Sequence, residues 1–178
     1  MIGTTDKVKL RQKLPQDVKA DYAWQSDPEL TRLDAAVRLS MPFARYLVDY
    51  AAVLSYPSPN RRQFAVDTLE GRHIGNCAYY NIDEAGGEAE VGIMIGERSY
   101  WDKGYGTAAM KALVDDIFRN TKLKRLYLKT LDSNPRARRC FSKSGFTPCG
   151  SRVTDGNSFV LMEQYRQQWQ KRQRAPQK

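Results

Sequence analysis

The stretch Val91-Gly92-Ile93-Met94-Ile95-Gly96-Glu97-Arg98-Ser99-Tyr100-Trp101-Asp102-Lys103-Gly104-Tyr105-Gly106-Thr107-Ala108-Ala109 is where the fold of this chain is decided. It begins as an apolar strand, passes through a short polar turn and puts two glycines at the head of an amphipathic helix. Glycine lets a backbone approach a ligand closely, and the first helical turn carries N–H groups without an internal partner. Together they suit an anion such as phosphate. Two glycines also fit a loop that needs them only for its own conformation, so the flanking residues must arbitrate.

Two ligand readings compete. Gly104-Tyr105-Gly106-Thr107-Ala108-Ala109 fits the G-x-G-x-x-A dinucleotide fingerprint, and a strand over 124–131 ends at Asp132, where a ribose-binding acid would stand. That fingerprint wants its glycines directly off the strand, whereas polar and aromatic residues 97–103 intervene here and a hairpin precedes. The second reading is better supported. The turn resembles the acyl-CoA motif of the GCN5-related N-acetyltransferases, Gln/Arg-x-x-Gly-x-Gly/Ala, with Trp101 at the Gln/Arg position. Tyr100 to Thr107 is similar to the Y-W-G-K-G-Y-G-T form of the RimJ/RimL-like, ribosomal-protein-alanine branch. Asn134-Pro135-Arg136-Ala137-Arg138-Arg139-Cys140-Phe141-Ser142-Lys143-Ser144-Gly145-Phe146 resembles the family's N-x-x-A-x-x-x-Y-x-K-x-G-F. The two motifs span 91–146, and the flanks are compatible from about residue 7 to 169.

The resemblance implies a three-layer α+β fold, a central, mostly antiparallel sheet with helices on both faces, and acetyl transfer from acetyl-CoA to a primary amine by direct attack. It places the cofactor against Met94 and Ile95 and in the turn formed by Trp101, Asp102, Lys103, Gly104, Tyr105, Gly106 and Thr107. Asn134 is the implied contact to pantetheine, Arg138 and Arg139 are candidates for phosphate, and no metal is called for. Ala89-Glu90-Val91-Gly92 matches the family's acidic strand position, so Glu90 is the candidate base. Strand alternation puts Glu88, Glu90 and Met94 on the face opposite Ala89, Val91, Ile93 and Ile95, which suits a cleft-facing carboxylate and equally an exposed polar face.

Phe141 departs from the pattern, because the family's tyrosine at this position could protonate the leaving thiolate. A thiol of pKa near ~8.5 leaves as thiolate at pH 7 for roughly 2 kcal/mol, so the loss is tolerable, and water, Tyr105 or Tyr127 could substitute. Neutralising a lysine-like amine at pH 7 costs about 4.6 kcal/mol and an α-amine only about 1, which favours an α-amine. That agrees with the RimJ/RimL resemblance, which implies a protein or peptide α-amine, while polyamine and antibiotic acetyltransferases share much of the motif and keep a small amine as the alternative acceptor.

The chain has 178 residues, 41% hydrophobic and 28% charged, enough for one well-buried domain. Residues 1–169 are expected to form it, with 170–178 a basic, disordered tail. No run approaches the ~20 apolar residues of a membrane span, no signal-peptide core opens the chain, and Cys77, Cys140 and Cys149 form no C-x-x-C. A cytoplasmic setting follows, and a homodimer is left open. The net charge of +9 is polarised: residues 119–143 and the tail are basic, residues 15–55 slightly acidic. A phosphate-rich cofactor on the basic half and a cationic acceptor near the acidic half fit this, as does a merely solvated basic surface. Nucleic-acid binding through the tail and a CoA-binding domain without turnover, the latter motivated by Phe141, are the rival functions.

In chain order the pattern predicts a strand over 8–14, a helix over 16–26 with Val18, Tyr22 and Gln25 on its stripe, and a stop at Asp27-Pro28. A helix over 43–54 follows Ser40-Met41-Pro42. In the family, two such helices wall the acceptor side, which points to residues 22–56 for substrate choice. Strands over 63–69, 73–82 and 88–96 form a meander, with His73, the only histidine, read as a surface turn residue. A helix to residue 120, a strand to 131, a short helix capped by Asn134 and a final strand pair around Asp155-Gly156 complete the order.

Overall fold

The structure is a computed structural model describing residues 2–174. Eight strands form one sheet: β1 (Gly3–Thr4), β2 (Val8–Gln12), β3 (Arg61–Thr68), β4 (His73–Asp83), β5 (Glu88–Ile95), β6 (Arg125–Leu131), β7 (Thr147–Thr154) and β8 (Asn157–Tyr165). Their order is β1-β2-β3-β4-β5-β6-β8-β7, antiparallel throughout except at β5–β6. The helices are α1 (Val18–Ser26), α2 (Pro28–Leu33), α3 (Phe43–Ser55), α4 (Tyr105–Asn120), α5 (Pro135–Ser144) and α6 (Arg166–Arg174).

Strand alternation sorts the two faces. Val8, Leu10, Phe64, Val66, Ala89, Val91, Leu126 and Leu128 join Leu113, Ile117 and Phe118 of α4 and Phe141 of α5 in one apolar core. Arg11, Asp67 and Glu90, the alternating neighbours, turn to the opposite face, where α1 packs. The expected α+β, three-layer architecture is therefore what the chain adopts.

Two expectations need correction. Asp27-Pro28 does end α1, but it also starts α2: Asp27 Oδ1 accepts from the N–H groups of Glu29 (2.9 Å) and Leu30 (3.0 Å), and Pro28 occupies the first helical position, where its missing N–H costs nothing. His73 is not a surface residue. Its ring nitrogens lie 3.4 Å from Asp21 and 3.3 Å from Asp67, and its ring packs against Trp24 at 5.0 Å. The polar end of the chain forms α6 over Arg166–Arg174. Arg166 donates to the Phe118 carbonyl in the last turn of α4 and to those of Thr121 and Leu123 just past it, and Trp169 packs on Phe118 at 5.6 Å and donates to Asp115 at 2.5 Å. The rest of the predicted tail, 175–178, lies outside the described residues. Among those described, no helix is long and apolar enough to cross a membrane.

Candidate active site

The parallel pair β5–β6 is short. It runs Glu88↔Arg125, Ala89↔Leu126 and Glu90↔Tyr127 and then stops, although β5 continues to Ile95 and β6 to Leu131. The strands part beyond Glu90, and the wedge between them opens into a cleft of about 730 Å³. Of the expected site residues, Met94, Ile95, Trp101, Gly106 and Asn134 line it. The backbone of β5 facing the wedge has lost its strand partner, so its N–H and C=O groups require another one.

The glycine turn sits at the mouth. Gly104 has φ +85°, the left-handed region that favours glycine, and caps α4 with no side-chain hydrogen bond. The N–H groups opening α4 at Tyr105, Gly106 and Thr107 thus lack a capping oxygen, and the helix dipole adds positive potential there. A β-carbon at Gly104 would lie 3.6 Å from the Lys7 side chain, so a second cation stands beside Lys103 at this turn. Gly106 lies between Cys140 and Ile95, which an added β-carbon would meet in ordinary contact at 3.4 Å and 3.7 Å. This uncapped, positively polarised turn at the end of an unpaired strand edge fits a long ligand with an anionic middle.

Trp101 is a packing hub. Its Nε1 donates to the Ile95 carbonyl at 2.6 Å, the Arg136 guanidinium lies 3.4 Å from its ring centroid and that of Arg98 5.5 Å. Arg98 in turn pairs with Asp27 at 2.9 Å and Glu29 at 2.8 Å, tying the turn to α2. Asn134 is the N-cap of α5, its Oδ1 accepting from Ala137 N–H at 3.1 Å, and its Nδ2 crosses the cleft to the Leu33 carbonyl at 3.2 Å. Arg138 does not reach the cleft. It bonds Asp132 at 2.9 Å and lines a separate groove between α5 and the β7–β8 pair.

Glu90 is buried on the sheet face opposite the apolar core and does not itself line the cleft. Its carboxylate accepts from the Tyr80 hydroxyl at 3.2 Å and from Asn81 Nδ2 at 3.0 Å. Tyr80, directly across the ladder from Glu90, does line the cleft. Burial, then the nearby Glu90 charge, pushes the Tyr80 phenol upward, so it is a neutral donor at pH 7. Reading the sequence alone missed Tyr80, although its signal was available: pairing two predicted hairpin strands sets a tyrosine opposite Glu90. Phe141 lines the cleft and packs edge-on against Phe146 at 6.3 Å. Neither Tyr105 nor Tyr127 is among the lining residues.

Comparison with known proteins agrees with this geometry. The Acetyltransferase (GNAT) domain family matches residues 7–147. The p20 N-acetyltransferase of Bacillus licheniformis is 28% identical over 131 residues, covering 73% of each protein. The aminoglycoside N(6')-acetyltransferase type 1 of Serratia marcescens is 32% identical over 116 residues, 60% of this chain and 58% of that one. The spermidine N-acetyltransferase of Vibrio cholerae, solved with CoA and spermine, shares the fold at a TM-score of 0.84 and 17% identity, over 93% of this chain and 99% of that one. The acceptors these names print are aminoglycosides and polyamines, not the ribosomal-protein alanine that the turn motif suggested.

Proposed function

This chain belongs to the GNAT acetyltransferase family, and on that premise we propose that acetyl-CoA lies along the wedge between β5 and β6 while a primary amine enters from the α2 side. The observation that carries this is the parting of β5 from β6 after Glu90, which leaves a strand edge for an extended chain beside an uncapped helix start. When bound, acetyl-CoA supplies an activated thioester carbonyl; the protein does the rest.

In this reading Asp102, Lys103, Gly104, Tyr105, Gly106 and Thr107 hold the pyrophosphate through backbone N–H groups and the helix dipole, with Lys103 and Lys7 adding charge. Met94 and Ile95 flank the pantetheine arm, and Trp101 walls its mouth. Asn134 exchanges its bond to Leu33 for the arm's amide. Arg138 belongs to the outer phosphates of the nucleotide, beyond the cleft. Glu90 is the base and works through Tyr80: the phenol oxygen takes a proton from the ammonium as its own proton passes to Glu90, and the freed lone pair attacks the carbonyl. The thiolate leaves unprotonated for roughly 2 kcal/mol at pH 7, so Phe141 does not prevent turnover. The acceptor is a primary amine on a small molecule or a peptide end.

Thiol release from acetyl-CoA with a panel of amines tests this. Glu90→Gln and Tyr80→Phe should each lower turnover by roughly 10²-fold while leaving acetyl-CoA affinity nearly intact, and the defect should shrink as pH approaches the amine's own pKa. Full activity in both variants would remove the relay. A wild-type protein that binds acetyl-CoA yet is silent on every amine would favour a non-catalytic CoA-binding domain.

A further inference from the structure

Beyond the wedge, the acceptor half of the cleft has two walls of opposite character. On the β4–β5 side stand Tyr80, with Glu90 behind it, and Asp34, the residue that caps the C-terminus of α2. On the β6–β8–β7 side stand Lys129 and Arg152. Strand register places them around one aromatic ring, since Phe159 pairs with both Leu131 and Arg152, and the Lys129 ammonium lies 5.7 Å from the Phe159 ring centroid. Both basic side chains are exposed within the cleft, and among the described residues neither has a carboxylate within ion-pair distance.

From this we infer that the acceptor is an amine that also carries an anionic group, a carboxylate or a phosphate, with Lys129 and Arg152 reading the anion and the Asp34 side reading the ammonium. This deepens the acetyltransferase reading above and rests on it. The charge lining the cleft is the reason. Arg32, Lys129, Arg136 and Arg152 face Asp34 and Asp155, four basic groups against two acidic ones, so a polycation would meet net repulsion where an anion-bearing amine meets a partner on each wall. Arg136 is already stacked on Trp101 near the cofactor side and Arg32 lies on α2 beside Asp34, which leaves Lys129 and Arg152 as the cations of the β6–β8–β7 wall. Asp155, at the tip of the β7–β8 turn, is the only acid among the lining residues on their side. Asp34 has no ion-pair partner among the described residues. Its side chain is exposed on the cleft wall, open to a cation.

Matched amines separate the contributions. With acetyl-CoA saturating, thiol release is compared for butylamine against 4-aminobutyrate, ethylamine against 2-aminoethyl phosphate, and spermidine and kanamycin. Each anion-bearing amine should exceed its neutral-tailed match by about 10-fold or more in kcat/KM, with spermidine and kanamycin below both, and the better of the two pairs identifies carboxylate or phosphate as the anion read. The double variant Lys129→Gln, Arg152→Gln should erase that advantage while leaving the butylamine rate and acetyl-CoA affinity within about twofold. A preference for spermidine or kanamycin, or a double variant that still discriminates, overturns the proposal. Calorimetric titration of 4-aminobutyrate and 2-aminoethyl phosphate into the CoA-saturated protein decides it without turnover. Binding of either that the double variant loses supports it even if no amine is acetylated, in which case the catalytic reading has failed separately. Binding of neither overturns it.

Discussion

Phe141 stands where the family carries tyrosine, and the structure gives the ring two roles: it lines the cleft and closes the apolar core against Phe146. Phe141→Tyr adds a hydroxyl whose transition-state role is to protonate the leaving sulfur. Turnover on an accepted amine should rise several-fold, with acetyl-CoA affinity unchanged, because the new donor acts mainly on the departing thiolate. Steady-state rates and thermal midpoints of the two proteins check this. Flat turnover with a lowered midpoint, consistent with about 1–3 kcal/mol for an unpartnered buried hydroxyl, would reduce Phe141 to a packing residue. The motif and strand parity single out Glu90 as a candidate base and suit an exposed polar face equally. Parity alone did not reveal that its carboxylate is bonded by Tyr80 and Asn81, because cross-strand partners also require the register of the β4–β5 hairpin.

At the scale of elements, α1 shows why hydrophobic periodicity misplaces some faces. The expected stripe was Val18, Tyr22 and Gln25, whereas the buried residues are Val18, Asp21 and Trp24. Asp21 is inside because the residue just after β2 and two residues of β4 supply its partners: Lys13 Nζ at 2.6 Å, Asn76 Nδ2 at 2.8 Å and His73. Arg11 joins Asp17 and Asp67 in the same network, at 2.7 Å each. A single helix read alone scores aspartate as solvent-facing, since the cations that compensate it lie elsewhere in the chain. Burial alone would raise the Asp21 carboxyl; the His73 hydrogen bond and the charge and bonds of Lys13 and Asn76 outweigh it and hold the group at about 2, against 3.8 unperturbed. A depressed folded-state pKa contributes stability that is fully present above 3.8 and lost as pH falls through about 2, here about 2 kcal/mol. Denaturant titrations across pH should therefore show wild-type stability dropping on that acid limb. Asp21→Asn should be less stable at pH 7, with Lys13 left uncompensated, and flatter between pH 4 and pH 2. Parallel curves for the two proteins would show that Asp21 is not the group that titrates. The same network anchors α1 to the sheet.

For the whole molecule, the order of strands and helices was readable because the glycine turn, the Asn134-Pro135 cap and the Asp155-Gly156 turn punctuate the chain locally. What was not readable is what distant segments build together. The wedge exists because β5 and β6 part after three pairs, and the cleft walls join α2, β4, β6 and β7, so Asp34, Lys129 and Arg152 line one cleft only in the fold. The central claim is that acetyl-CoA occupies this wedge, and it can be tested without knowing the acceptor. A β-carbon at Gly106 makes ordinary contacts with Cys140 and Ile95, so Gly106→Val should fold while filling the space the cofactor needs. The measurement is the dissociation constant of acetyl-CoA for wild type and Gly106→Val, with the thermal midpoint of each. A constant raised by at least ~10-fold, about 1.4 kcal/mol, at a nearly unchanged midpoint is the expected result; equal affinity in a folded variant would contradict the placement of acetyl-CoA between β5 and β6.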